Sequence, residues 1–239
     1  MEILSIAFLT LVAAAIGTVT GFGTSTLMIP VLAIFFPPVE AIFLVAIIHW
    51  FGNIWKVALF RKGFNVRLVA LFGAVGVATS YLGAFISLGI YEQTLLRFLG
   101  GFLALYALFL LFQSQFKIPA GNTVALSGGA LSGFFAGIFG IGGAIRAMFL
   151  SAFDLPKAVY IATAGAIGIL VDTARLVAYF TGGTALPKEL WQGLLLFIPI
   201  SFLGAWIGKR IVTTISQAKF RTVIAVFLFA IGAKLILFP

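Results

Sequence analysis

Hydrophobic residues run along this chain in blocks too long for a soluble fold, and the interruptions between blocks define the elements. The first block extends from Ile3 to the Pro37-Pro38 pair, about 34 residues, which as one straight helix would measure roughly 51 Å. A bilayer core of about 30 Å does not hold that as a single span. The block is expected to break at its Gly- and hydroxyl-rich middle, Gly17-Thr18-Val19-Thr20-Gly21-Phe22-Gly23-Thr24-Ser25-Thr26, so residues 3–36 read as a broken, re-entrant helical hairpin. Beyond the prolines the pattern predicts helices over 39–60, 66–90 and 93–112. Gln113–Thr123, with Lys117, Pro119 and Gly121, reads as a linker. A second over-long block at 124–153, centred on Gly137-Ile138-Phe139-Gly140-Ile141-Gly142-Gly143-Ala144, predicts a second hairpin. Helices over 155–180, 190–208 and 219–237 follow.

The two halves read as copies, residues 1–118 and 119–239. Displaced by 119 positions, Gly21 falls on Gly140, Gly23 on Gly142, Pro37 on Pro156, Ile42 on Ile161, Ile48 on Ile167, Asn53 on Asp172 and Lys56 on Arg175. Two residues further in register, Ser80-Tyr81-Leu82-Gly83-Ala84-Phe85-Ile86 matches Ser201-Phe202-Leu203-Gly204-Ala205-Trp206-Ile207. Loop charge orients the halves. Arg61, Lys62 and Arg67 follow the first post-hairpin helix, whereas its counterpart loop, Thr181–Glu189, holds only Lys188 beside Glu189. The next loop is reversed: Leu88–Thr94 has Glu92 and no base, and its counterpart near 208–221 has Lys209, Arg210, Lys219 and Arg221. Cytoplasmic loops favour Lys and Arg, so the halves are expected to be inverted, each a hairpin plus three spans, with both termini non-cytoplasmic.

Composition agrees with this pattern. The 239 residues are 62% hydrophobic and only 9% charged, against about a quarter charged in soluble domains, which makes this an all-α polytopic membrane protein. The net charge of +9 would suggest nucleic acid in a soluble chain; here the bases cluster at helix ends, and no nucleic-acid partner is expected. Residues 1–6 lack a basic start, so no cleavable signal peptide is expected. With no cysteine, thiolate metal sites, disulfides and sulfur relay through a protein thiol are excluded from this chain. No phosphate-loop lysine motif, zinc spacing or catalytic triad occurs, and neither a cofactor nor an enzymatic activity is expected.

The chemistry gathers at the two breaks. A helix restarting at Thr24 offers N–H groups from Gly23, Thr24 and Ser25 and the hydroxyls of Thr24, Ser25 and Thr26. Its partner restarts near Gly142-Gly143-Ala144 with Arg146 in the first turn. Facing helix N-termini make an anion site, and the alternative for these glycines, Gly21, Gly23, Gly140, Gly142 and Gly143, is close helix packing. His49, Asn53 and Lys56 share one helix face at i, i+4 and i+7, and the equivalent face carries Gly168, Asp172 and Arg175. Asp172 is the only acid in the interior of a span, expected to form an ion pair with Lys56 or Arg175 or to carry a proton with His49. Snorkelling of Lys56 and Arg175 to an interface stays open.

These residues resemble the TauE/SafE-type sulfite exporters, also called the four-toluene-sulfonate uptake permease family. The resemblance lies in Gly21–Leu32, its partner Gly137–Leu150 and the Pro-then-helix layout, with Gly142-Gly143-Ala144 fitting the family's Gly-rich segment and Arg146 belonging to no assigned motif. It implies a multi-pass carrier in the cell (inner) membrane for sulfur-containing anions such as sulfite, sulfoacetate, taurine-related sulfonates or thiosulfate. The expected partners are a small anionic substrate and the lipid bilayer, with a homodimer open. A passive anion channel on the same scaffold is the alternative. An intramembrane lipid-phosphate enzyme is a third reading, disfavoured because the hairpin tips carry only Gly, Thr and Ser.

Overall fold

The computed structural model describes residues 3–60, 63–112, 118–212 and 217–239, with the side chains of 217–221 excepted. Ten α-helices make up the described chain. The first hairpin is α1 (Ile3–Thr20) and α2 (Ser25–Leu32), followed by α3 (Pro38–Leu59), α4 (Val66–Leu88) and α5 (Glu92–Phe112). The second is α6 (Asn122–Phe139) and α7 (Gly142–Leu150), followed by a 3-10 turn at Ser151–Phe153, α8 (Lys157–Thr181), α9 (Lys188–Ile211) and α10 (Gln217–Leu237). Seven of these, α1, α3, α4, α5, α6, α8 and α9, are long and apolar enough to cross a bilayer.

Element ends follow local chemistry. Proline, whose ring presets φ and lacks an N–H, stands at the entry of α3 (Pro37, Pro38), α8 (Pro156) and α9 (Pro187). That moves α8 to a start at Lys157, two residues later than hydropathy suggests, and α9 to a start at Lys188, two residues earlier. Asn65 caps α4 by accepting from the Leu68 N–H at 3.0 Å. The first hairpin's returning arm is shorter than expected: α2 ends at Leu32, and turns carry the chain to Pro37. Gly140 closes α6 in the left-handed region (φ 73°), with the N–H groups of Gly140 and Ile141 bonding back to Ala136 and Phe135.

Packing pairs the two halves. The first arm of each hairpin lies against a helix of the other half, α1 on α9 and α6 on α4, while α3 packs on α8 and α5 on α10. Both heptapeptides sit at close helix joints. Gly83 of α4 faces the α6 backbone at Phe134, and Gly204 of α9 faces the α1 backbone at Leu11, positions where a Cβ would strike main chain. Ser80 Oγ donates to Val171 O of α8 at 2.9 Å, and Ser201 Oγ accepts from Trp55 Nε1 of α3 at 3.1 Å.

One end of the bundle gathers the C-termini of α3 and α9 and the N-termini of α4, α6 and α8. Lys209 Nζ donates to Leu59 O (2.8 Å), Lys157 Nζ to Val212 O (2.6 Å), the Asn65 N–H to Thr163 Oγ1 (2.9 Å) and Arg67 Nη2 to Asn122 Oδ1 (2.8 Å). Arg67, Lys157, Lys209 and Arg210 lie here, whereas Glu40, Glu92 and Glu189 lie in the first turns of helices that start at the opposite end. Arg61, Lys62 and the side chains of Lys219 and Arg221, which bear on orientation, and residues 113–117 of the linker lie outside the described residues.

Candidate functional site

The two hairpin tips meet inside the protein. Gly21 and Gly23 turn the first tip with φ of 77° and 85°, a region costly to side-chain-bearing residues. The Thr26 hydroxyl donates back to Phe22 O at 3.1 Å and holds that turn. Gly143, in the first turn of α7, lies so close to the Phe22 carbonyl that a Cβ would overlap it. α7 begins at Gly142, which puts Arg146 in its second turn rather than its first. Gly17 is packed against Gly23 and Thr24, so α1 runs past the tip before the chain doubles back.

Below the tips, α3 and α8 contribute a polar cluster. His49, Asn53, Lys56, Asp172, Arg175 and Arg146 of α7 each expose 4% of their surface or less. Lys56 and Arg175 are thus inside the protein and do not snorkel. Asp172 is the hub. Its Oδ2 lies 2.8 Å from His49 Nδ1 and accepts from Asn53 Nδ2 at 2.9 Å. Its Oδ1 accepts from Arg175 Nε at 2.9 Å, with Arg175 Nη2 at 2.7 Å, held by charge without an aligned hydrogen bond. The carboxylate therefore pairs with Arg175 and His49, and Lys56 instead donates to Asn53 Oδ1 at 3.3 Å. Gly168, the repeat equivalent of His49, leaves the space that Asn53 occupies.

The hydrogen bonds assign atom roles. Asn53 turns its amide oxygen to the Lys56 ammonium and its NH2 to the carboxylate, an orientation both neighbours demand. An ionised carboxylate only accepts, so His49 carries its proton on Nδ1, and the Asn53 Nδ2 found 3.3 Å from that nitrogen is a second donor converging on Oδ2. Arg175 is committed further: its Nη1 donates to Ala136 O at 3.3 Å, at the C-terminal end of α6, where a cation offsets the helix dipole. Tyr179 donates to Gly137 O and accepts from Ser87 Oγ, tying the same hairpin to α8 and α4.

What stays unpaired is as informative. Thr24 Oγ1, Ser25 Oγ, His49 Nε2 and Arg146 Nε are buried without a hydrogen-bond partner among the described residues. Two of them lie at the same joint: Gly23 sits against His49 Nε2, and the Thr24 hydroxyl faces Gly52, on α3 between His49 and Asn53. Arg146 lies within electrostatic reach of Lys56, Asp172, Arg175 and Tyr160. The cluster holds three basic side chains, Lys56, Arg146 and Arg175, against the single carboxylate of Asp172 among the described residues. Buried charge without compensation costs several kcal/mol per ion, so this centre fits an anion. The donor set holds no three acids, imidazoles or thiols grouped to bind a metal among the described residues.

A cleft of about 290 Å3 opens at the end bearing Lys157 and Lys209, lined by Thr20, Ser151, Asp154, Lys157 and Tyr160 among others. The half-buried Tyr160 ring lies over Gly21 and its hydroxyl donates to Ala147 O at 3.3 Å, so it stands between the cleft and Arg146. Sequence reasoning did not single out Tyr160, Tyr179 or Ser87; an aromatic or serine within an apolar helix carries no periodic mark.

Seven helices of spanning length, two of them leading into broken hairpins that meet over a buried excess of cationic and hydroxyl donors, define a multi-span membrane protein suited to moving small anions. The family model described as Sulfite exporter TauE/SafE matches residues 6–235, nearly the whole chain, and the protein belongs to that family. Its members are membrane transporters, not enzymes, which sets the lipid-phosphate reading aside. A search of curated proteins returned no match.

Proposed function

We propose that this protein is a secondary transporter that carries a small sulfur oxyanion, of the sulfite or organosulfonate class, between the two hairpin tips. The observation that carries the reading is the buried cluster of three cations and one carboxylate beside unpartnered hydroxyl and guanidinium donors. In this reading Gly21, Gly23, Thr24, Ser25 and Thr26 of the first tip and Gly140, Gly142 and Gly143 of the second form the two walls of the site. Thr24, Ser25, Lys56 and Arg146 bind the anion, with the first N–H groups of α2 and α7 behind them. Arg175 and Asn53 hold the cluster in register, and the His49–Asp172 pair is the place for a coupled proton.

Alternating access on two inverted repeats, 1–118 and 119–239, is supported by the reciprocal packing of α1 on α9 and α6 on α4 and by the matched seats of Gly83 and Gly204. The basic end is then cytoplasmic and both termini lie opposite, as expected of an inner-membrane protein. Burial of every charged group in the cluster favours a carrier over a passive channel, which needs a continuous wet path. Whether the carrier works as a homodimer is for the same preparation to show, by its mass in detergent. The functional test is saturable flux of labelled sulfite and sulfoacetate into proteoliposomes; a panel of sulfur anions that shows neither saturable flux nor binding would sink the proposal.

A further inference from the structure

We infer that the anion this site takes is one that brings its own acidic hydrogen, the hydrogen sulfite form of sulfite, and that His49 Nε2 receives that hydrogen. The inference rests on the transport reading above and sharpens its substrate class. The other buried side-chain atoms left unpartnered here, on Thr24, Ser25, Arg146 and Arg175, donate or, as hydroxyls, do both, and the Lys56 ammonium only donates. One group does neither. With Nδ1–H directed at Asp172 Oδ2 (2.8 Å), neutral His49 presents at Nε2 a bare lone pair. That nitrogen is buried, has no hydrogen-bond partner, and points at Gly23 beside the start of α2. An anion whose oxygens are all acceptors would set lone pair against lone pair there. An anion with one O–H satisfies all sides: its bare oxygens take the hydroxyl, guanidinium and ammonium donors, and its O–H donates to Nε2.

Charge count points the same way. Lys56, Arg146 and Arg175 face Nε2 or its neighbours from α3, α7 and α8, with only Asp172 opposing them and Tyr160 uncharged beside Arg146. A protonated imidazole in the empty site would add a fourth cation to an existing excess, which burial disfavours. The proton therefore arrives with the substrate. The balance is simple: HO–SO2− enters, and either keeps its hydrogen in an O–H···Nε2 bond or passes it to Nε2 to leave SO3 2− beside an imidazolium held by Asp172. In both cases one proton accompanies each sulfur through the site, and nothing is oxidised or reduced. Asp172 is a positioning residue here, because it fixes the tautomer without touching the substrate. A sulfonate of similar size, such as methanesulfonate, has no such hydrogen and leaves Nε2 unmet.

The test uses the full chain in proteoliposomes carrying an internal pH dye, with protein-free liposomes as control. Labelled sulfite at fixed total concentration should move faster as pH falls through the range where hydrogen sulfite replaces sulfite, with one proton per sulfur. Methanesulfonate should move at least tenfold more slowly. His49→Gln, which has no basic nitrogen, should flatten the pH profile of whatever sulfite flux remains. Sulfite flux that ignores pH and moves no proton, or methanesulfonate flux equal to sulfite flux, would overturn the inference and leave the transporter reading standing. These wild-type measurements decide even if His49→Gln fails to fold. A wild-type protein that moves no sulfur anion would overturn both.

Discussion

Substituting Gly23 by Ala separates backbone strain from occupation of the site. Gly23 adopts φ 85°, where a side-chain-bearing residue costs about 1–2 kcal/mol. The added methyl also collides with His49 Nε2. His49 cannot yield freely, because its Nδ1 is held to Asp172 at 2.8 Å, a charge-assisted bond worth about 1.5–3 kcal/mol. Together these give about 2.5–5 kcal/mol of destabilisation. Gly183 is the matched control: φ is 81°, yet a Cβ there meets nothing within 4 Å, so Gly183→Ala should cost only the strain, about 1–2 kcal/mol. The pair is compared by thermal unfolding in detergent and by sulfite flux in proteoliposomes. Gly23→Ala should unfold well below Gly183→Ala and lose most sulfite flux, since its methyl drives the His49 ring out of place. Equal melting and equal flux for the two variants would refute the placement of the first tip over His49.

Three further outcomes follow from the charge imbalance. Arg146→Met removes a buried cation whose Nε has no partner, so the empty protein should melt no lower than wild type while the KM for sulfite rises by about 10- to 150-fold, the loss of one charge-assisted contact. A fall of several degrees in Tm would instead mark Arg146 as structural. Asp172→Asn leaves Arg175 and the other cations without their only counter-charge and should destabilise by about 3–5 kcal/mol in denaturant titration, where a change below about 1 kcal/mol would show the cluster is not charge-coupled. Sulfite itself should stabilise the folded protein, by about 2.7 kcal/mol at a hundred times its Kd, and unchanged melting at saturating sulfite would count against a site inside the protein.

Much of this arrangement is legible in the sequence because a bilayer imposes hard limits. An apolar block from Ile3 to the Pro37-Pro38 pair cannot cross once and cannot stay straight, so glycines mark the break and prolines the restart. The i, i+4, i+7 spacing of His49, Asn53 and Lys56 likewise puts them on one face before any partner is known. Pairing is what spacing does not contain. Nothing local says that Asp172 takes His49 and Arg175 and leaves Lys56 to Asn53; that depends on how α3 crosses α8. The three hydroxyls of Thr24, Ser25 and Thr26 are alike in sequence, yet the turn through Gly21 and Gly23 brings the Phe22 carbonyl to Thr26 alone. Tyr160 escapes notice because its role comes from lying over a glycine 139 positions away.

If the two halves are copies, the polar centre is where they hold an unlike pair of groups. Asn53 and Asp172 are equivalent under the 119-residue displacement, and they hydrogen-bond to each other. Read as inverted repeats, the halves place these two residues where a two-fold axis would pass, and at an axis each residue meets its own copy. Two aspartates there would set carboxylate against carboxylate; two asparagines would leave the neighbouring cations with no counter-charge. One of each gives a donor to an acceptor and one negative charge for both sides. The same divergence recurs one turn away, where His49 faces the site from the first half and its equivalent, Gly168, is cut back to admit Asn53. Lys56 and Arg175 keep like charge but part in commitment: the arginine is spent on Asp172 and on the end of α6, and the lysine is nearly free. α8 thus supplies the carboxylate and the committed arginine, while the groups left without full partners come from both halves, Thr24, Ser25 and His49 from the first and Arg146 from the second.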